Sequence, residues 1–266
     1  MPRRARRAAE LVRRGLARSR EQAAELVAAG RVQVAGQVAH KAATGVDAAT
    51  PVLVATGAQD PGYASRGGYK LAGALDALGG PAVTGRRCLD VGASTGGFTD
   101  VLLRRGAREV VAVDVGYGQL SWRLRTDPRV QVRDRTNARA LTPEIVGGTA
   151  ELAVADLSFI SLVLVLPALR ACVAADGDLL VMVKPQFEVG RELVGPGGVV
   201  RAPEPRVDAI SGVVAAAAEL GLGGLGVVAS PLPGPAGNVE YFVWLRTGAP
   251  LLDRGAIEQA VAAGPS

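Results

Sequence analysis

The sequence predicts an α/β protein built on a doubly wound parallel sheet, preceded by a small basic module of mixed helix and strand. Short apolar segments recur from residue 87 onwards and alternate with helical patterns, which is typical of parallel strands joined by crossover helices. The last apolar segment follows its predecessor after a loop too short for such a helix, so it should pair antiparallel. Net positive charge is concentrated in the first sixty residues, which marks them as a separate module.

The N-terminal module, residues 1–60, accounts for the net charge of the whole chain. It holds ten Lys or Arg against five Asp or Glu, whereas residues 61–266 hold twenty of each, so the net charge of +5 belongs to the module. Eight of the cations are arginines within the first twenty residues, and guanidinium groups suit phosphate. A solvated basic tail is the alternative interpretation.

Apolar residues at helical spacing indicate that these arginines lie on folded helices. Ser19 and Gln22 form a capping box that opens the second helix, and Gly30 ends it. The residues at helical spacing are Leu11, Val12, Leu16, Leu26 and Val27.

A small β element should follow the two helices. Alternation over Val32 to Val34, a turn at residues 35–37 and then Val38 predict a hairpin, and Pro51 to Ala55 predict one more short strand. The phrase from Leu16 to Val34 resembles the signature of the S4 RNA-binding domain. That resemblance implies an α+β module that binds structured RNA.

Asp60-Pro-Gly-Tyr63 interrupts both patterns, so we assign residues 61–64 to a linker and residues 65–266 to a second domain. A helix with Lys70 near its start opens this domain. Its sheet should have seven strands with the last one antiparallel, over residues 87–91, 110–113, 130–133, 152–155, 179–183, 225–229 and 239–245.

A glycine-rich turn joins the first of these strands to a helix within Cys88 to Phe98, and glycines there let the backbone approach a ligand closely. The spacing is acidic-x-Gly-x-Ser-x-Gly, with Ser94 where a dinucleotide fingerprint more often has glycine, which favours S-adenosylmethionine over NAD. Asp114 ends the second strand, 22 residues after Gly92, where a carboxylate can accept hydrogen bonds from both ribose hydroxyls. The predicted cofactor site is Asp90, Gly92, Ala93, Ser94, Gly96, Gly97 and Asp114, with Asn137 as a candidate contact to the adenine edge.

Charged residues stand at the ends of three other strands. Asp156 follows the fourth strand, Lys184 follows the fifth, and Glu240 begins the reversed one. Because ligands bind beyond the carboxyl ends of parallel strands, these three groups should converge beside the cofactor. Lys70 joins them only through a family resemblance.

Lys70, Asp156, Lys184 and Glu240 match the Lys-Asp-Lys-Glu tetrad of ribose 2′-O-methyltransferases with the FtsJ-like fold. From linker to last strand the chain resembles the TlyA family. The resemblance implies a Rossmann-like class I methyltransferase that uses S-adenosylmethionine to methylate cytidine ribose in 16S and 23S ribosomal RNA. Family members with a basic N-terminal helix tend to modify both subunits. The phrases that carry the resemblance run over residues 65–71, 90–98, 113–120, 135–139, 155–161, 183–188 and 237–242.

Two mechanisms are open for this tetrad. A ribose hydroxyl is a poor nucleophile at neutral pH, so a base should take its proton. Lysine is a base only when neutral, a form that burial and a second ammonium favour, so Lys184 would need Lys70 beside it. Asp156 and Glu240 would then orient Lys184. In the other mechanism both lysines stay charged, fix the ribose and stabilise the developing oxyanion.

Several other side chains are candidate RNA contacts. Phe159 lies close behind Asp156, where it would either stack on a flipped cytosine or pack against the sheet. The cationic candidates are Arg4, Arg6, Arg18, Arg20, Lys41 and Arg66.

The composition argues against a metalloprotein, a histidine-based enzyme and a secreted or membrane protein. Cys88 and Cys172 lie in apolar segments without metal spacing, so we expect core residues and no metal. The single histidine, His40, argues against histidine-based catalysis. No signal-peptide pattern and no run of about 18 apolar residues occurs, which predicts a cytoplasmic protein without a membrane partner. We expect a monomer that meets ribosomal RNA within ribosomal subunits.

Two rival functions come from other classes. TlyA proteins are also called haemolysins, so a membrane-acting cytolysin is the first rival, although the basic helices have narrow apolar faces. The second is an RNA-binding chaperone that has lost its cofactor pocket, and the intact glycine turn with Asp114 argues against it.

Overall fold

The computed structural model describes residues 5–17, 19–28, 31–35, 37–39, 41, 43, 45–47, 50–54 and 61–264. The chain divides into two compact units, residues 1–62 and 63–266. Of the predicted linker, Tyr63 and Ala64 belong to the second unit. The Ala64 N–H donates to Asp100 Oδ2 at 2.9 Å, and Tyr63 packs edge-on against Tyr69 with 5.1 Å between the ring centroids.

Within its described residues, the first unit has two helices and five short strands. Helices α1 and α2 span Arg7–Arg13 and Arg20–Ala28. The strands are β1 Ala5–Arg6, β2 Val32–Val34, β3 Gln37–Val38, β4 Gly45–Val46 and β5 Val52–Val54.

The two predicted helices and the small β element are confirmed. Ser19 caps α2, because its Oγ accepts a hydrogen bond from the Gln22 N–H at 3.1 Å. Strand β2 pairs antiparallel with both β3 and β5. The pairing of β1 with β4 was not predicted, because strands of two residues have no readable alternation. Both helices pack on this element through the buried side chains of Leu11, Ala23, Val27 and Val32.

Glu10 forms ion pairs with two of the N-terminal arginines within the first unit. Its carboxylate is only 2% exposed and accepts hydrogen bonds from Arg13 at 2.5 Å and Arg14 at 2.7 Å. These hydrogen bonds lower the pKa of Glu10 to about 2. Arg14 also donates to the carbonyl oxygens of Thr50 at 2.8 Å and Asp47 at 3.2 Å. Arg14 is therefore a structural residue of the module as well as a surface charge.

The second unit is a seven-stranded sheet between two layers of helices. Its strands are β6 Arg87–Val91, β7 Glu109–Val113, β8 Val130–Arg133, β9 Ala150–Ala155, β10 Val173–Val183, β11 Leu222–Ala229 and β12 Tyr241–Thr247. Its helices are α3 Arg66–Leu78, α4 Gly97–Arg104, α5 Trp122–Arg125, α6 Pro143–Val146, α7 Leu166–Ala171, α8 Pro185–Glu188, α9 Pro203–Glu219 and α10 Arg254–Ala262. Short 3₁₀ turns span Ala138–Ala140, Leu162–Leu164, Arg191–Leu193 and Pro196–Gly198.

The strand order is β11-β12-β10-β9-β6-β7-β8. The five strands from β10 to β8 run parallel, and β12 runs antiparallel to both of its neighbours. This confirms the predicted fold of seven strands with a reversed last strand. Strands β6 and β8 have the predicted bounds, whereas β10 begins at Val173, six residues early. A register shift between Val173 and Asp178, in a polar stretch, concealed that extension in the sequence.

Both faces of the sheet are covered by apolar side chains. One layer includes Leu166, Ile210 and Val213, and the other includes Leu71 and Leu102. Cys88 and Cys172 are buried in these layers, as predicted, and burial raises the pKa of the Cys88 thiol to about 12. None of the described helices is long and apolar enough to cross a membrane.

A buried carboxylate fastens β12 to β10. Asp178 accepts hydrogen bonds from Trp244 Nε1 at 2.7 Å, from Arg246 at 2.8 and 2.9 Å, and from Arg86 Nη1 at 2.6 Å. Burial raises the pKa of this carboxyl, but the hydrogen bonds from Arg246, Arg86 and Trp244 outweigh burial and hold the pKa below its ordinary value. Asp178 lies opposite Arg246 in the β10/β12 register, so it fixes that register.

Replacing Asp178 with Ala should lower the free energy of unfolding by about 3 kcal/mol, because two guanidinium groups lose their shared acceptor. Urea denaturation measures this loss. The depressed pKa means that Asp178 stabilises the fold above the ordinary Asp pKa of 3.8 and stops doing so as the pH falls below it, so the difference should shrink in acid. The control is Asp208→Ala at an exposed ion pair, with an expected change within about 0.5 kcal/mol. Equal effects of the two substitutions would contradict the role of Asp178.

Candidate active site

The predicted site residues follow strand ends that lie at one edge of the sheet. Val91 pairs with both Ala155 and Val113, and Val183 pairs with Tyr241. The residues that follow or precede these strand ends are Gly92, Asp114, Asp156, Lys184 and Glu240. The topology therefore brings the cofactor turn and the charged residues to the same edge.

The glycine turn lies against the backbone of Asp156 at this edge of the sheet. Gly92 has a φ of +89°, and a Cβ there would lie 2.2 Å from the carbonyl oxygen of Asp156. Gly96 has a φ of +98°, and a Cβ there would lie 2.2 Å from Leu124 Cδ1. Gly92 requires glycine for space as well as for conformation because its neighbour is backbone, whereas Gly96 requires glycine mainly for its positive φ. Ser94 adopts φ +48° between them, a left-handed conformation that costs a non-glycine residue about 1 kcal/mol.

Asp114 is held beside this turn by two backbone donors. Its Oδ2 accepts a hydrogen bond from the Ser94 N–H at 2.8 Å, and its Oδ1 accepts one from the Gly116 N–H at 2.7 Å. A carboxylate has about four acceptor positions, so two are left for a ligand. The conformation of Ser94 thus serves to aim its N–H at Asp114.

Asp90 differs from the other predicted cofactor residues because its carboxylate is completely buried. Its Oδ2 accepts a hydrogen bond from Thr99 Oγ1 at 2.6 Å, and its Oδ1 has no partner in the described part of the chain. Burial raises the pKa of Asp90 to about 7, although the Thr99 hydrogen bond opposes this rise. Asp90 therefore lies beneath the turn, where Thr99 on α4 holds it.

The tetrad forms two separate ion pairs. Lys70 Nζ lies 2.5 Å from Glu240 Oε2, and both side chains are buried. Lys184 Nζ lies 2.6 Å from Asp156 Oδ1 and donates a hydrogen bond to Ser158 Oγ at 3.0 Å. The structure therefore gives each lysine its own carboxylate, whereas we expected both carboxylates to orient Lys184. Lys70, which sequence reasoning could not place, lies at this edge through Glu240.

Beyond the tetrad, Phe159 is a conspicuous surface residue. It is 90% exposed and has a φ of +64°, which is uncommon for an aromatic residue. Its ring lies 5.3 Å from the ring of Phe187, and its exposure contradicts packing against the sheet, whereas stacking on a flipped cytosine stays a prediction. Glu188 holds the same loop, accepting from Ser161 Oγ at 2.6 Å and the Leu162 N–H at 2.8 Å. Burial raises the pKa of Glu188, against the effect of these hydrogen bonds.

Asn137 is exposed and caps a 3₁₀ turn, because its Oδ1 accepts a hydrogen bond from the Arg139 N–H at 3.0 Å. Its role toward adenine stays a prediction. Nearby, the Arg135 guanidinium lies 4.4 Å from the centre of the Tyr117 ring.

The candidate RNA contacts are placed as follows. Arg6, Arg20 and Lys41 are exposed in the first unit. Arg66 begins α3 and donates to the carbonyl oxygen of Pro233 at 3.4 Å. Arg4 and Arg18, like His40, lie outside the described residues.

Sequence reasoning missed three residues that shape the site. Ser158 binds Lys184, Thr99 binds Asp90, and Gly234 lets the backbone approach Glu240, since a Cβ there would lie 2.6 Å from Glu240 Oε1. Ser158 stands within a family phrase, which was the available signal. Thr99 and Gly234 carry no chemical signature of their own.

Among the described residues no cluster of His, Cys, Asp and Glu could hold a metal ion.

Known proteins share both the sequence and the fold. Residues 63–247 match the FtsJ-like methyltransferase family, and residues 9–50 match the S4 domain. The chain is 59% identical, over the full length of both, to the 16S/23S rRNA (cytidine-2′-O)-methyltransferase TlyA of Mycobacterium tuberculosis. It is 34% identical to the 23S rRNA (cytidine-2′-O)-methyltransferase TlyA of Campylobacter jejuni, over 68% of this chain and 70% of the other. A solved structure of a putative hemolysin from Streptococcus thermophilus is 38% identical and covers 98% of this chain and 95% of its own, with a TM-score of 0.77.

The reversed strand, the glycine turn and the acidic residue after the second strand of the sheet define a class I methyltransferase, here joined to an S4 domain. The chain belongs to the TlyA family of FtsJ-like methyltransferases. The fold, enzyme class and family resemblance predicted from the sequence are thereby confirmed.

Replacing Gly92 with Ala should weaken binding of S-adenosylmethionine, the predicted cofactor, at least about tenfold, because the new Cβ would displace the Asp156 carbonyl from the turn. Calorimetric titration measures this affinity. The matched control is Gly221→Ala, since Gly221 also has a positive φ of +74° but has no atom within 4 Å of a new Cβ. The control should lose only about 1 kcal/mol of stability and keep its affinity. Parental affinity in Gly92→Ala would show that this close contact does not shape the cofactor site.

Proposed function

We propose that this enzyme transfers a methyl group from S-adenosylmethionine to the 2′-hydroxyl of cytidine in 16S and 23S ribosomal RNA. The observation that supports this most directly is the pair of lysine–carboxylate contacts at the carboxyl edge of the sheet, next to the glycine turn. The name of the Mycobacterium tuberculosis relative, which is similar over its full length, supports both RNA targets.

The residues around the turn fit S-adenosylmethionine. The glycines at positions 92 and 96 let the turn adopt its positive φ angles and pack closely on Asp156 and Leu124, and Asp114 keeps acceptor positions for ribose hydroxyls. S-adenosylmethionine supplies, when bound, a methyl group made electrophilic by its sulfonium. The chain supplies orientation and charge.

The pairing within the tetrad supports the electrostatic mechanism. Each lysine forms an ion pair with its own carboxylate, which fixes the position of its ammonium group. Charged Lys184 and Lys70 would hold the ribose and stabilise the developing negative charge on its oxygen as the proton passes to solvent water. Ser158 fixes the direction of the Lys184 ammonium through its hydrogen bond.

RNA recognition would use both units. The exposed cations Arg6, Arg20 and Lys41 would bind phosphate groups of folded RNA, together with Arg4, Arg18 and Arg66. Phe159 offers an exposed ring beside the tetrad on which an extruded cytosine could stack. A monomer that meets ribosomal subunits in the cytoplasm stays our prediction.

Replacing Lys184 with Ala should slow transfer of labelled methyl groups to purified ribosomal subunits by about a hundredfold, because the developing oxyanion loses its ammonium. The control variant is Arg108→Ala, which removes an exposed cation beside the amino end of β7 and should transfer at the parental rate. Lys184→Arg separates the mechanisms: it keeps the charge, so partial activity is expected, whereas a general base would be lost completely. Parental transfer by Lys184→Ala would refute the role of Lys184, and absence of transfer by the parent would refute the proposed function. Dye release from liposomes by the parent, without RNA, would instead favour the cytolysin.

Replacing Arg20 with Gln should weaken binding to ribosomal subunits and reduce the slope of log affinity against log salt by about one, because one phosphate contact is lost. Cofactor affinity should not change. Arg108→Gln is the matched control, as it removes one cation from the second unit. An equal loss of RNA and cofactor affinity in Arg20→Gln would mean that the residue only stabilises the fold.

A further inference from the structure

Two segments that follow neighbouring strands are joined at three successive points. The segment of residues 156–162 follows β9, and the segment of residues 184–188 follows β10. Lys184 binds Asp156 and Ser158, the Phe187 ring meets the Phe159 ring, and Glu188 binds Ser161 and the Leu162 N–H. Residues that come later in one segment therefore contact residues that come later in the other, so the two segments run side by side in the same direction.

The loop of residues 156–162 is fixed at each end. At its start the Asp156 N–H donates to the carbonyl oxygen of Val91 at 3.0 Å. At its other end Ser161 Oγ donates to Glu188 and accepts a hydrogen bond from the Val163 N–H at 3.2 Å, and the Leu162 side chain is buried. Between these ends lie Ser158, which binds Lys184, and Phe159.

Phe159 shows why the loop needs an anchor. Its ring is 90% exposed, and its backbone has a φ of +64°, so neither burial nor local backbone preference holds it in place. An off-rotamer or left-handed residue persists where its surroundings determine its conformation. On the C-terminal side Ile160 packs against the core, and beyond it the two oxygens of the Glu188 carboxylate each accept one hydrogen bond from the loop.

We propose that Glu188 is a positioning residue, which holds Ser158 and Phe159 in place so that Lys184 and the target nucleotide meet in a reactive arrangement. This role rests on the proposed methyl transfer to RNA. Glu188 acts through Ser161 and Leu162. Displacement of reacting groups by about 1 Å can cost a hundredfold in rate, which gives such an anchor a kinetic effect without any direct chemical part.

The test compares Glu188→Ala with Glu188→Gln. Alanine removes both acceptors, so the single-turnover rate at saturating cofactor and ribosomal subunits should fall at least about tenfold, with cofactor affinity within about twofold of the parent. Glutamine can accept from the Leu162 N–H through Oε1 and bind Ser161 through its amide nitrogen, so it should restore the rate to within about threefold. Glu192→Ala removes the same charge from an exposed residue four positions on and should retain the parental rate.

Hydrogen exchange at the Leu162 amide gives a second readout that needs no RNA. Exchange should accelerate in Glu188→Ala and stay slow in Glu188→Gln and Glu192→Ala. If the parent itself methylates no RNA, the proposed function fails, while exchange still shows whether Glu188 anchors the loop. A parental rate in Glu188→Ala would overturn the positioning role. So would a joint loss of rate, cofactor affinity and unfolding free energy that glutamine does not rescue, because that result would identify a residue needed only for folding.

Discussion

The antiparallel insertion of β12 between β10 and β11 is the constraint on which the edge of the candidate active site depends. It places Glu240 next to the ends of the parallel strands, where Lys70 from α3 pairs with it. The far end of the same strand is fixed by Asp178, which binds Trp244 and Arg246. One strand thus connects the buried Asp178 carboxylate near its C-terminal end to the buried Lys70–Glu240 pair at its N-terminal end, and its register determines both.

The glycine turn is in close backbone contact with Asp156 of the tetrad. Gly92 meets the carbonyl oxygen of Asp156, and the Asp156 N–H in turn binds the carbonyl oxygen of Val91. Asp156, which pairs with Lys184, is therefore in direct backbone contact with the turn that would bind the methyl donor. Such rigid contact suits a reaction in which placement supplies much of the rate, since little reorganisation is needed when donor and acceptor meet.

The sequence was sufficient for the architecture because strand alternation, turn residues and loop length are local signals. Strands β6 and β8 and the cap at Ser19 were predicted from such signals, and the edge position of Asp156, Lys184 and Glu240 followed from topology. Which lysine pairs with which carboxylate was not predictable, because partners 170 residues apart depend on packing rather than on spacing. The burial of Asp90 and its bond to Thr99 were likewise hidden, since the motif that contains Asp90 is the same whether its side chain faces ligand or core.

The pairing of Glu10 with Arg13 and Arg14 reduces the positive charge that the N-terminal module offers to a nucleic acid. Two of its guanidinium groups already have an internal counterion, and one of them also binds backbone carbonyls. Fewer condensed cations would consequently be released from a nucleic acid than the arginine content of the module suggests. Arg14 also cannot be exchanged freely for another cation, because a lysine lacks the planar fork that reaches Glu10, Thr50 and Asp47 together.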